Sequence, residues 1–156
     1  MPDPIFTSKT AQNELRTFGR TKGKTLSPYQ QSLMDQLYPQ IKIGDNPLLG
    51  LKSYKGIWFE IGFGGAEHLI YQAEANPDIA ILGAEPFLNG VAKAVRSVDD
   101  KDLKNVRLLQ GDARDVLTAL PDQSLSRLFI LFPDPWPKSK HNKSCLLYTS
   151  PSPRDA

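Results

Sequence analysis

The chain has 156 residues, a formal charge of +2 and one cysteine. That length fits one domain, a single cysteine excludes an internal disulfide, and two histidines and one cysteine set far apart leave a structural zinc site without ligands. No apolar run approaches a membrane span, and the start Met1-Pro2-Asp3-Pro4 carries an early acid and no apolar leader segment, so a cytoplasmic protein is expected.

Residues 1–26 are polar and rich in threonine, lysine and glycine. They read as a flexible basic arm carrying Arg16, Arg20, Lys22 and Lys24. Ser27 can cap a helix with Pro28 at its first position. Leu33, Leu37 and Ile41 follow at helical spacing, with Met34 and Tyr38 widening the stripe, and Pro39 is expected to end that helix. Residues 42–55 read as loop.

From Gly56 strands and helices alternate. Ile57 to Ile61 predicts a strand ending in glycines, and Ala66 to Ala75 a helix closed by Asn76-Pro77. A second strand is predicted over 79–84, a helix over 87–98, a third strand over 106–109, a short helix over 113–120 stopped by Pro121, and a fourth strand over 125–132. Short links between alternating strands and helices predict parallel pairing through right-handed crossovers.

Four acids stand at or just past the four strand ends: Glu60, Glu85, Asp112 and Asp134. Parallel pairing gathers them along one sheet edge, where open α/β sheets hold ligands. Carboxylates crowded in one crevice repel each other and lose solvation, and a cationic, donor-rich ligand relieves that cost. The plain alternative is that each acid caps the helix after it. The turn Gly62-Phe63-Gly64-Gly65 lets a ligand approach the backbone at Gly62 and Gly64, and Gly65 can open the next helix. A dinucleotide fingerprint wants a third glycine where Glu67 stands, and an acid there opposes a pyrophosphate. Glu85 has the position of an acid gripping a ribose diol, Asp112 can meet an adenine, and Glu60 can face an ammonium. An adenosyl ligand with a cationic amino-acid tail, S-adenosyl-L-methionine, matches this set.

Phe132-Pro133-Asp134-Pro135-Trp136-Pro137-Lys138 breaks an apolar strand abruptly into a loop stiffened by three prolines. Asp134 sits there at the pocket mouth, beside the expected methyl acceptor. Trp136 either stacks on a base or packs under the loop. Lys138 is placed to contact nucleic-acid phosphate or base, and His141 either does the same or is simply solvated. Basic clusters on both sides of the acids favour a phosphate-bearing partner. His68 falls in the first helix after the glycine turn and is assigned no catalytic role.

Together these segments resemble the bacterial tRNA (guanine-N7-)-methyltransferase family. The likeness runs through Arg16-Thr17-Phe18-Gly19-Arg20, Glu60 to Gly65, Gly83-Ala84-Glu85-Pro86-Phe87, Gly111-Asp112-Ala113, and Phe132 to Lys138 with its basic continuation to Lys143. It implies an α/β, Rossmann-like class I methyltransferase fold with an incomplete parallel sheet. It further implies that Glu60, Gly62, Gly64, Glu85, Asp112 and Asp134 contact the cofactor, that Asp134 is the catalytic or cofactor-side acid, and that Lys138 contacts tRNA. The expected reaction is methylation of N7 of guanine-46. N7 carries an in-plane lone pair and no proton, so alignment rather than a strong base is needed. Asp134 either orients guanine through its N1–H and N2–H or holds the cofactor.

The family pattern continues beyond Lys143 with more arginines, further helices and strands, and a late threonine–asparagine and glutamate motif that are not found here. A partial methyltransferase domain over 27–143 is therefore expected, followed by a non-family tail over 144–156 that is disordered or a read-through or assembly artefact. The fourth strand would then be a bare apolar edge, and a truncated chain that folds poorly and has little activity is expected. Competing readings are an NAD(P)-dependent oxidoreductase, a non-catalytic RNA-binding module, and a methyltransferase for a small molecule or protein. Monomer and homodimer both stay open.

Overall fold

The computed structural model describes residues 23–130. Within them the predicted alternation is present. Helix α1 (Pro28–Gln36) starts on a full capping box, in which the Ser27 hydroxyl accepts from the Gln30 N–H and the Gln30 side chain accepts from the Ser27 N–H. Two donors that a helix start leaves unpaired are thereby satisfied.

Pro39 does not act as the expected stop. The first helix ends at Gln36, and Pro39 sits in the first turn of a second short helix, α2 (Tyr38–Ile41). Proline lacks an N–H, which the first turn does not need, so the residue expected to break a helix starts one. Leu33, Met34, Leu37 and Tyr38 pack on the core as the stripe predicted, and Ile41 is buried in it.

Strand β1 (Gly56–Ile61) leads through the glycine turn to α3 (Glu67–Ala75). Then come β2 (Ile79–Glu85), α4 (Leu88–Lys101), β3 (Val106–Gln110), α5 (Ala113–Ala119) and β4 (Arg127–Ile130). The strands form one parallel sheet in the order β3-β2-β1-β4, the arrangement that short right-handed crossovers impose.

The fourth strand begins two residues later than the apolar run predicts. Ser126 N–H already bonds to the Ile57 carbonyl at 2.8 Å, so the chain joins the ladder there and full pairing starts at Arg127. Arg127 lays its guanidinium over the Trp58 ring, 4.6 Å from the centroid, a cation–π contact. Among the described residues β4 is one edge of the sheet. On the opposite side residues 42 and 43 continue past β3, through a Lys42–Leu108 bridge and an Ile43 N–H to Leu108 carbonyl bond of 2.8 Å.

Both faces of the sheet are covered. Trp58, Ile81, Val106, Leu108 and Phe129 face α3 and α4, against Leu69, Val91 and Val95. Phe59, Ala80, Leu82 and Ala84 face Val116 of α5 and the loop residues Ile43 and Leu51. Each fully buried large side chain, such as Phe59 or Leu82, contributes about 1.5–3 kcal/mol by leaving water. Strands buried on both faces explain why they read as continuous apolar runs rather than alternating ones. Asn105 is a buried polar tie: its Nδ2 donates to the carbonyls of Ala73, Asn76 and Ile79 at 3.1, 3.0 and 2.9 Å, locking the end of α3 to the start of β2.

Candidate functional site

The parallel register brings strand ends together at one edge. Glu60 pairs with Gly83 and Ile61 with Ala84, while Glu85 pairs with Gln110. Gly62 N–H continues the ladder to the Ala84 carbonyl at 2.8 Å, and Gly111 N–H to the Glu85 carbonyl at 3.0 Å. Glu60, Glu85 and Asp112 therefore share the carboxyl edge, as the sequence predicts. Asp134, Lys138 and His141 lie outside the described residues, as do Arg16, Arg20, Trp136 and the 144–156 tail.

The glycine turn is built from left-handed backbone. Gly62 has φ 69° and Gly64 φ 59°, angles at which glycine carries no steric cost. Ala66 also has φ 72° and precedes the helix as its N-cap. The helix expected from Ala66 therefore starts at Glu67, and the strained residue is not a glycine. A Cβ on Gly64 would meet nothing within 4 Å, so the turn presents open backbone on the face that a ligand would use.

Glu85 holds that turn in place. Its Oε1 accepts from Gly64 N–H at 2.8 Å and its Oε2 from Phe87 N–H at 3.0 Å. The carboxylate is 8% exposed, and bonds from backbone N–H groups compensate its burial. Each oxygen keeps a further lone pair, so the acid can brace the turn and still accept from a hydroxyl. Gly90, in the first turn of α4, touches the same turn: a Cβ there would lie 2.2 Å from the Gly64 carbonyl oxygen. Turn, acid and helix start form one tightly fitted unit.

Asp112 does what the plain alternative says an acid here would do. It is the N-cap of α5, accepting from Arg114 N–H at 2.8 Å, and it pairs with the Arg114 guanidinium through Nε at 3.0–3.1 Å and Nη2 at 2.5 Å. The cap accounts for its position, with any ligand contact additional to it.

Glu60 is 1% exposed. Its Oε1 lies 2.6 Å from Nδ1 of His68, in the first turn of α3. Its Oε2 is closed to solvent and has no hydrogen-bond partner among the described residues. Burial pushes the carboxyl above its ordinary value, and the His68 hydrogen bond pulls it back. The His68 ring also packs edge-on against Phe129, centroids 5.0 Å apart, and Phe129 does the same with Trp58 at 5.8 Å. Gly83, beside Glu60 on β2, leaves room for this packing: a Cβ there would lie 2.3 Å from Leu69 and 2.7 Å from Phe63.

His68, which the sequence reading left without a role, is the side chain that contacts Glu60. The available signal was the spacing of the polar residues His68, Gln72 and Asn76, four residues apart along α3 and its C-cap, which sets each beside the next. Among the described residues no group of histidine, cysteine and acid side chains is arranged to hold a metal ion.

A family model described as a putative methyltransferase matches residues 55–151. A tRNA (guanine-N(7)-)-methyltransferase of Caulobacter vibrioides is 50% identical over 146 residues, covering 92% of this chain and 65% of its own length. A protein of the same name from Hyphomonas neptunium is 49% identical over 138 residues, covering 85% of this chain and 63% of its own. The chain thus spans a little under two thirds of these curated relatives. Among solved structures, the 16S rRNA methyltransferase KamB aligns with 63% of this chain and 46% of its own, at 21% identity and a TM-score of 0.48.

Proposed function

This chain belongs to the methyltransferase family matched over residues 55–151, and we propose that it serves in transfer of the methyl group of S-adenosyl-L-methionine to N7 of guanine-46 in tRNA. The observation that carries the reading is the edge itself. A buried acid with one unpartnered oxygen, an open left-handed glycine turn and a second acid bracing that turn stand side by side on parallel strands.

These residues fit the cofactor on chemical grounds. The orphaned Glu60 oxygen suits an ammonium, because an unmet buried acceptor costs about 1–3 kcal/mol or more that a cationic donor removes. Glu85 suits the ribose hydroxyls, and Gly62 and Gly64 suit close approach of the amino-acid end. Asp112 caps α5 and pairs with Arg114, and on this reading it also meets the adenine. Glu67 opens α3 where a dinucleotide site would want glycine against a pyrophosphate, which weighs against the NAD(P) reading.

When bound, the cofactor supplies an electrophilic methyl on a sulfonium. The chain's share is alignment: Glu60, Glu85 and the Gly62–Gly64 turn would hold the adenosyl ligand, and the closed setting of Glu60 would keep water from that acid. The β4 register pairs Ile130 with Ile61, so β4 ends at this same edge. On this reading Asp134 orients guanine or cofactor, Lys138 and His141 meet the RNA, and the basic residues of the arm over 1–26 add phosphate contacts. Among the described residues no helix is long and apolar enough to cross a membrane, in keeping with a cytoplasmic tRNA-modifying protein.

The test is direct. The chain is incubated with unmodified tRNA and methyl-labelled S-adenosyl-L-methionine, and the nucleosides are analysed by mass spectrometry. Labelled 7-methylguanosine is expected, at lower turnover than from a full-length relative run beside it, and none in a transcript with adenine at position 46. Label that persists without guanine-46, or binding of the cofactor with no tRNA labelled, would overturn the acceptor assignment.

A further inference from the structure

Glu60 and His68 are more than a hydrogen-bonded pair, because the hydrogen bonds beyond them fix where the proton lies. Gln72 Nε2 sits 3.3 Å from His68 Nε2, and Gln72 Oε1 accepts from Asn76 Nδ2 at 3.4 Å. Asn76 Nδ2 also donates to the Gln72 carbonyl at 3.0 Å, which fixes it as a donor and turns the Gln72 amide nitrogen toward His68. An amide nitrogen only donates, so His68 Nε2 is the acceptor. The network thereby assigns the ring proton to Nδ1, from which it is donated to Glu60 Oε1 across 2.6 Å. A histidine whose tautomer is set by its far nitrogen presents a fixed donor from the near one.

The row Asn76, Gln72, His68 is spaced four residues apart along α3 and its end, so the helix aims a single donor at one oxygen of a carboxylate on β1. The second oxygen, nine-tenths or more buried with the rest of the side chain, has no partner among the described residues. Several charged groups on neighbouring elements are engaged elsewhere. Glu85 on β2 is engaged by Gly64 and Phe87, Asp112 beyond β3 by Arg114, and Arg127 on β4 stacks on Trp58.

We propose that His68 is a positioning residue that keeps Glu60 ionised and turned so that Oε2 is reserved for the ammonium of the cofactor's amino-acid end. This rests on the cofactor reading above and adds to it the residue that makes Glu60 a competent anion. Without the Nδ1–H donor, a carboxyl this deeply buried takes up a proton more readily. A protonated Glu60 no longer attracts a cation.

The test compares two ligands on the full 156-residue chain by calorimetry at neutral pH. S-adenosylhomocysteine carries the amino-acid end, and 5′-methylthioadenosine lacks it. His68→Leu should weaken S-adenosylhomocysteine by about tenfold or more, the loss of one hydrogen bond to a charged group, and leave methylthioadenosine unchanged. His68→Asn, whose amide nitrogen can stand near the Nδ1 position, should recover most of the loss. The carbon-13 signal of the Glu60 carboxyl, assigned with Glu60→Gln, should titrate at higher pH in His68→Leu than in the wild type.

Equal weakening of both ligands would make His68 a structural residue and overturn the proposal, as would unchanged affinities or an unmoved Glu60 titration. Failure of the wild-type chain to bind either ligand, with the Glu60 titration still shifted by His68→Leu, would instead bring down the cofactor reading and leave the His68–Glu60 linkage standing.

Discussion

Gly90→Ala tests how tightly the glycine turn is clamped. The new methyl carbon would stand 2.2 Å from the Gly64 carbonyl oxygen and 3.4 Å from Glu85 Cγ. An ordinary carbon–oxygen contact is about 3.3 Å or more, so turn and helix must separate by about 1 Å. The obstacle is backbone, with no side chain able to swing away. Such overpacking costs about 1–3 kcal/mol, against about 0.5–1 kcal/mol gained by replacing glycine with alanine in a helix. The same displacement takes the Gly64 N–H to Glu85 Oε1 bond from 2.8 Å past the range of a good hydrogen bond. Adding that loss gives a net destabilisation of about 2 kcal/mol. Urea unfolding should show it as a lower midpoint, and S-adenosylhomocysteine affinity should fall by about tenfold or more. Gly44→Ala is the control: nothing lies within 4 Å of its Cβ position, and its stability should stay within about 0.5 kcal/mol of wild type. A Gly90→Ala chain with unchanged urea midpoint and unchanged affinity would refute the clamp.

Other consequences follow from single residues. Burial raises the Glu60 carboxyl above 4.5, so the folded state keeps a proton over a window where the unfolded chain has lost it. The stability this group contributes is full below the unfolded value and is lost as pH rises through the folded one. Glu60→Gln removes that slope. Its thermal midpoint relative to wild type should therefore climb as pH rises above 4.5, while S-adenosylhomocysteine affinity drops; a constant midpoint difference would contradict the sign. Asp112→Ala should cost about 1 kcal/mol as a lost helix cap, measured by urea unfolding. Asp112→Ser should restore that stability without restoring affinity for the adenosyl ligand, and full recovery of both would reduce Asp112 to a cap. Asn105→Ala leaves three carbonyls without their donor and should lower stability by about 1–3 kcal/mol at unchanged ligand affinity, read from urea unfolding and calorimetry.

Much of the fold was legible because the strands are buried on both faces. Continuous apolar runs closed by Gly, Asn-Pro and Pro punctuate the chain, and three of the four strand starts fall within a residue of those predicted. The local exceptions have local causes. Pro39 fits a helix start as well as a helix stop, and only the packing of Tyr38 decides between them: its hydroxyl accepts from Gln110 N–H at 2.9 Å. Ala66 adopts a left-handed conformation that its side chain does not advertise. Glu60, Glu85 and Asp112 were readable as edge acids from strand ends, because parallel topology makes one edge of many strands. The His68–Glu60 contact was not, since it depends on the angle at which α3 crosses β1. That angle is fixed by Gly83 yielding space to Leu69 and Phe63, a tertiary fit with no sequence period.

The account stands on the sheet edge recognising an adenosyl ligand with a cationic tail. Calorimetric titration of the chain with S-adenosylhomocysteine and, separately, with NAD tests this most directly. One-to-one binding of S-adenosylhomocysteine that Glu85→Ala abolishes, with no heat from NAD, is the predicted result. Binding of NAD in preference, or of neither ligand, would contradict it.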